Sequence, residues 1–153
     1  FAQQEWQAAL LSYERFIAQF PQSELIIFAR LGIAECKENM GLVDEAEPIY
    51  RELSNADIPY IKARSNRGLG NIYLLRGNKE EAVRSYMFVT ILFDDEMVPE
   101  LMLKAAKLYL ELGQYDNAQN VINEFKQRYP THPLNEEIAS LMRTSETKGP
   151  AAS

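Results

Sequence analysis

An all-α solenoid of antiparallel helix pairs is the fold this sequence predicts, on three observations. Gly41, Gly77 and Gly113 fall 36 residues apart, and each is followed five positions later by an alanine: Ala46, Ala82 and Ala118. Behind each alanine come a large residue (Tyr50, Tyr86, Ile122) and then an apolar one (Leu53, Val89, Phe125), the i, i+4, i+7 spacing of one helix face. Ahead of each glycine runs another helical pattern: Phe28, Leu31, Gly32 and Glu35; Leu69, Gly70 and Tyr73; Met102, Ala105, Ala106 and Tyr109. With 46% hydrophobic and 25% charged residues in 153, the chain has the balance of a packed domain.

Each element follows from this register. Trp6, Ala9, Leu10, Tyr13, Phe16, Ile17 and Phe20 form one apolar stripe, read as the second helix of a repeat whose first helix is missing, so residues 1–24 make a half repeat. Three repeats are expected at 25–57, 58–96 and 97–132, then a capping helix at 133–143 with Pro133 at its first position, and a small polar flexible tail at 144–153. Between paired helices the glycine suits a residue with φ > 0 that ends the first helix. Asp44, Asn78 and Asp116 are placed to cap the second. Pro48 belongs in a first turn or a kink, so that second helix is expected to start late.

The sequence resembles the tetratricopeptide repeat family. The likeness is carried by Leu69-Gly70, Tyr73, Gly77-Asn78-Lys79-Glu80-Glu81-Ala82 and Tyr86, and again by Gly113-Gln114-Tyr115-Asp116-Asn117-Ala118 with Tyr129-Pro130. It covers roughly residues 1–132 and implies a tetratricopeptide-like α-solenoid that binds a partner protein or peptide. The family repeat is about 34 residues long. The longer spacing here is assigned to additions within Leu25 to Met40 and near Met97-Val98. The turns Phe20-Pro21-Gln22-Ser23 and Tyr129-Pro130-Thr131-His132 are similar to those of bacterial envelope tetratricopeptide proteins, which points to periplasm or envelope, with cytoplasm as the alternative.

Other classes of function are disfavoured. A net charge of −6 repels phosphate backbones, so no nucleic-acid partner is expected. No apolar run approaches the ~20 residues of a membrane span. Cys36 is the sole cysteine, which removes intrachain disulfides and cysteine-based zinc sites, and it is read as a packing residue. His132, the sole histidine, is read as a solvated turn residue. Asp94-Asp95-Glu96 is assigned to capping the helix that contains Pro99, and Gly68-Leu69-Gly70 to close helix packing, since no Gly-Lys-Ser/Thr follows it. Tyr13, Tyr50 and Tyr86 share the repeat period and are assigned to the core. Nothing assembles a nucleophile with a base, or a pair of carboxylates of unequal environment, so no catalytic residue, metal or cofactor is assigned and no enzyme is expected.

Charge is where binding is sought. The predicted first helices carry Arg30, Lys37, Lys62, Arg64, Arg67, Arg76, Lys104 and Lys107 against Glu35, Glu38, Glu100 and Glu111, a net basic layer in an acidic chain. The resemblance implies that first helices line the groove and that carboxylate-clamping members use a basic residue and an asparagine one turn apart. Arg67 and Asn71 have that spacing. Lys104 stands where such members place an asparagine, and a further basic pair is absent. Arg30, Arg64, Arg67, Asn71, Lys104 and Lys107 are therefore the candidate contacts for an acidic or C-terminal peptide. The competing reading leaves them solvated and satisfied by glutamates at i+4. Trp6, Leu10, Tyr13 and Ile17 are the candidate interface for self-association, or for packing within a longer multidomain array.

Overall fold

The computed structural model describes residues 2–148, with side chains through Arg143. It contains α1 (Ala2–Gln19), α2 (Ile26–Asn39), α3 (Val43–Leu53), α4 (Pro59–Leu75), α5 (Lys79–Leu92), α6 (Val98–Glu111), α7 (Tyr115–Arg128) and α8 (Asn135–Lys148). No strand occurs among the described residues. The chain divides into two compact units, Phe1–Arg76 with α1 to α4 and Gly77–Ser153 with α5 to α8.

Within each unit, consecutive helices pack in chain order, and a first helix also touches the next first helix: α2 on α4, and α6 on α8. This is the packing of a tetratricopeptide-like α-solenoid. The first unit buries Leu31, Ala34, Ala46, Tyr50, Leu53, Ile61, Leu69 and Ile72 together. Its counterpart gathers Val98, Met102, Leu103, Ala106, Val121, Ile122, Phe125 and Ile138. Small residues sit where helices approach most closely. A Cβ on Gly68 would lie 2.4 Å from Cζ of Tyr50, and one on Gly32 would lie 2.4 Å from Cζ of Tyr13. The large residue of one second helix thus rests on a glycine of the following first helix.

The turn chemistry follows the sequence. Gly41, Gly77 and Gly113 have φ of +80°, +79° and +74°, the left-handed region where a Cβ is strained. After α2, Leu42 N donates to Lys37 O at 2.8 Å and Gly41 N to Glu38 O at 3.0 Å; Gln114 and Gly113 repeat the pair on Tyr109 and Leu110. These bonds satisfy carbonyls that a helix end would otherwise orphan. Pro59 starts α4 and Pro99 lies in the first turn of α6, where a missing N–H removes no helical bond.

Several expectations are corrected. Of the three expected caps only Asn78 serves, its side chain accepting from Glu81 N at 3.4 Å. Asp44 and Asp116 lie two residues past the cap positions Leu42 and Gln114, within the first turns of α3 and α7, where a carboxylate favours the positive helix end. α3 does not start late: it begins at Val43 and holds Pro48 in its interior. The extra residues do not lengthen α2, which has 14 residues like α6, whereas α4 has 17. His132 is half-buried rather than solvated, its ring edge-on to Phe125 at 5.6 Å and its Nδ1 accepting from Leu134 N at 3.1 Å. Tyr50 and Tyr86 are core residues as expected, but Tyr13 is 37% exposed. α8 starts at Asn135 rather than Pro133 and runs into the segment expected to be a tail; residues 149–153 of that segment lie outside the described residues.

Candidate functional site

The first helices of the first unit, α2 and α4, lie side by side and meet along a ladder of three rungs. In their first turns the rings of Phe28 and Tyr60 stand 6.0 Å apart, and the guanidinium of Arg64 sits 4.4 Å above the Tyr60 ring. In the middle, Arg67 donates to Glu35 Oε2 at 3.4 Å. Below, Asn71 donates to Glu38 Oε2 at 2.9 Å while the Tyr50 hydroxyl from α3 donates to Oε1 at 2.6 Å. One face of α4 supplies Tyr60, Arg64, Arg67 and Asn71 because these positions recur at three to four residues, one helical turn apiece.

Burial sets the electrostatics of the ladder. Desolvation raises the Glu35 carboxyl above the usual carboxylate range, opposed by the charges of Arg67 and Arg64 and reinforced by Glu38. Tyr50 is raised furthest, by desolvation and then by the Glu38 carboxylate. Burial likewise raises Tyr13 and the Cys36 thiol; Cys36 is enclosed, as a packing residue should be.

Beside the ladder opens a cleft of about 500 Å³ whose walls are Tyr13 and Phe16 of α1, Leu25, Phe28 and Gly32 at α2, and Tyr60 of α4, with Ser12 and Glu35 at its polar points. Phe28 and Tyr60 are 39% and 45% exposed. Phe28, on the apolar face of the α2 pattern, is therefore left exposed. Periodicity identifies a face, but only the neighbours of that face decide whether it is covered.

The candidate contacts separate into groups. Arg64, Arg67 and Asn71 stand together on α4. Arg30 does not join them: its guanidinium forms a two-pronged pair with Glu52 of α3, in a different hollow lined by Ile26, Ile27 and Leu53. In the second unit the Lys104 ammonium lies 5.7 Å from the centre of the Tyr86 ring, and Lys107 pairs with Glu137 of α8 at 3.1 Å. Arg30, Arg67 and Lys107 are met by carboxylates on neighbouring helices rather than by glutamates one turn along their own, and Arg64 and Lys104 lie on aromatic rings. On α1, Trp6, Leu10 and Ile17 are half-buried, and Tyr13 joins Leu11 and Phe20 among the exposed apolar side chains. No residue of α1 is fully buried.

Helices packed in chain order within each unit, left-handed glycines at the turns, and aromatic and charged side chains laid along α2 and α4 define a helical-repeat protein. A sequence model of the tetratricopeptide repeat matches residues 1–23 and 100–132, that is, α1 with its following turn and most of α6 through α7 with theirs. Over those residues the chain is similar to the tetratricopeptide repeat family, and the match supports a tetratricopeptide repeat protein. Such repeats generally mediate protein–protein interaction, and the family is typically a non-enzymatic scaffold. No curated protein matches the chain. No helix among the described residues is long and apolar enough to cross a membrane.

Proposed function

We propose that this chain is an interaction scaffold, not an enzyme, and that it holds a segment of a partner protein against the face formed by α2 and α4 of its first unit. The observation that carries this reading is the exposed Phe28–Tyr60 pair beside the Arg64, Arg67 and Asn71 row: aromatic area next to fixed polar groups is what a protein-recognition surface requires. An acidic or C-terminal peptide would have to displace carboxylates already in place, Glu35 from Arg67 and Glu38 from Asn71, and Lys107 would have to leave Glu137. The turns at 20–23 and 129–132 support a narrower place in bacterial envelope assembly, tested by fractionating the source cells.

The direct test is selection from a displayed peptide library, followed by calorimetry. Saturable binding that weakens in Tyr60→Ala and Arg67→Ala is expected; hits indifferent to every substitution on α2 and α4, or no saturable binder, would refute the scaffold reading. A second reading, an oligomerisation segment, is favoured by exposed Leu11, Tyr13 and Phe20. Sedimentation that shifts towards monomer in Trp6→Glu or Tyr13→Glu would establish it.

A further inference from the structure

The first unit contains its own template for what belongs in the cleft. Tyr50 of α3 rests on Gly68 of α4, and Tyr13 of α1 rests on Gly32 of α2, with the same 2.4 Å approach to a notional Cβ. The pair α1 and α2 therefore repeats the relation of α3 and α4. Against α3 and α4 lies a helix, α2, which sets Leu31 and Ala34 into the shared core. Against α1 and α2 the equivalent place is the cleft of about 500 Å³. The consequence is visible in the two tyrosines, one 1% exposed and the other 37%. A segment that completed this pattern would be a helix, and its buried face would be apolar, to meet Tyr13, Phe16, Phe28 and Tyr60.

Charge specifies the occupant further. In the inner rung the leading helix carries the carboxylate, Glu38, and the following helix carries the donor, Asn71. One repeat of 36 residues before Asn71 stands Glu35, so in the cleft it is the following helix, α2, that presents the carboxylate. The polarity of the rung is inverted, and the incoming helix must donate. The Glu35 side chain is 29% exposed, its contact with Arg67 is long at 3.4 Å, and it lines the cleft among apolar walls. The net charge of −6 also favours a basic approaching segment.

Building on the scaffold reading, we propose that the cleft formed by α1, α2 and the first turn of α4 receives an amphipathic helix of a partner protein that carries a lysine or arginine on its apolar face, opposite Glu35. The helix covers Tyr13.

The test uses labelled peptides of about five helical turns, identical in their leucine face and carrying either Lys or Glu at its centre, with a proline-interrupted copy that cannot stay helical. Fluorescence anisotropy at physiological ionic strength reads their affinity. The Lys helix should bind about tenfold more tightly than the Glu helix, and Phe28→Ser or Tyr60→Ser should each weaken it about tenfold. Both substitutions leave the charge of the protein unchanged, so binding that persists in them is unspecific attraction and overturns the proposal. Glu35→Gln should remove the preference for Lys with the circular dichroism of the fold intact, and Leu75→Ser, at a side chain 70% exposed elsewhere, should change nothing. Equal binding of the Glu helix or of the interrupted peptide overturns the proposal. So does a library-selected extended peptide in the cleft where the Lys helix fails to bind, though that result leaves the scaffold reading standing. Self-association abolished by Phe28→Ser would show a second copy in the cleft and would also defeat it.

Discussion

Gly68→Ala and Gly32→Ala place the same methyl group in the same local geometry, yet their effects should differ. Each Cβ would arrive 2.4 Å from a tyrosine Cζ, closer than two non-bonded carbons tolerate. Each substitution also gains about 1 kcal/mol of helix propensity. What separates them is whether the ring can move. Tyr50 is 1% exposed, enclosed by Ala46, Leu53 and Leu69, and held by a 2.6 Å hydrogen bond to Glu38. Overpacking of such a site costs about 1–3 kcal/mol, and losing the bond to a charged acceptor adds about 1.5–3 kcal/mol. Gly68→Ala should therefore be destabilising by about 1.5–5 kcal/mol net. Tyr13, at 37% exposure, can swing towards the cleft, so Gly32→Ala should fall within about 0.5 kcal/mol of the parent. Urea titration followed by circular dichroism, with the sole tryptophan, Trp6 of α1, as a local reporter, measures both. In a Tyr50→Ala background the clash is gone, and Gly68→Ala should turn stabilising by about 1 kcal/mol, the propensity gain alone. An unaffected Gly68→Ala protein, or a Gly32→Ala protein that is the weaker of the two, would refute the packing argument.

Two further outcomes follow from the charged groups of the first unit. Tyr50→Phe keeps the ring over Gly68 and deletes only the donor to Glu38, so it should cost about 1–3 kcal/mol of stability; a neutral result by the same urea titration would show that Asn71 alone satisfies that carboxylate. Hydrogen bonds from Arg76 and then Arg51 hold the Glu47 carboxyl below its ordinary range, and a hydrogen bond from Arg30 does the same for Glu52. Groups depressed in the folded state contribute stability above the ordinary carboxylate pKa and lose it as pH falls through their lowered values. Glu35, raised by burial, works in the opposite sense: the folded state retains its proton longer, and stability falls as pH rises through that window. Urea midpoints between pH 3 and 7 should therefore drop less on acidification in Glu47→Gln than in the parent, and parallel curves would remove Glu47 from the account.

The positions of the helix turns were readable in the sequence because their causes are local. A residue with φ near +80° strains any side chain, so a glycine at a fixed period marks a turn whatever packs around it. Asn78 could be recognised as a cap for the same reason. Part of the site was readable too, had the helix geometry been applied residue by residue. Successive residues turn by about 100°, which places Arg64, Arg67 and Asn71 on one face of α4 and puts Arg30 roughly opposite Phe28 on α2. A list of cations by helix loses that angle, and so Arg30 was grouped with residues that it does not accompany. The pairing of those cations has a different status. Arg67 meets Glu35 and Asn71 meets Glu38 across a separation of more than 30 residues, a distance set by the packing of α2 on α4 rather than by any helical period. Local sequence rules find charge pairs at i+4 and are blind to these. The same blindness made Tyr13 a core residue and left the exposure of Phe28 unread. Their apolar character was plain, but their exposure depends on whether a further helix lies on α1 and α2. Of the candidate cations inferred from sequence, Arg30, Arg67 and Lys107 are paired with carboxylates within the fold, and the aromatic cleft at α1 and α2 holds a carboxylate of its own. A count of charges leads to an acidic ligand; the arrangement of those charges around the cleft is what leads us to propose a basic one.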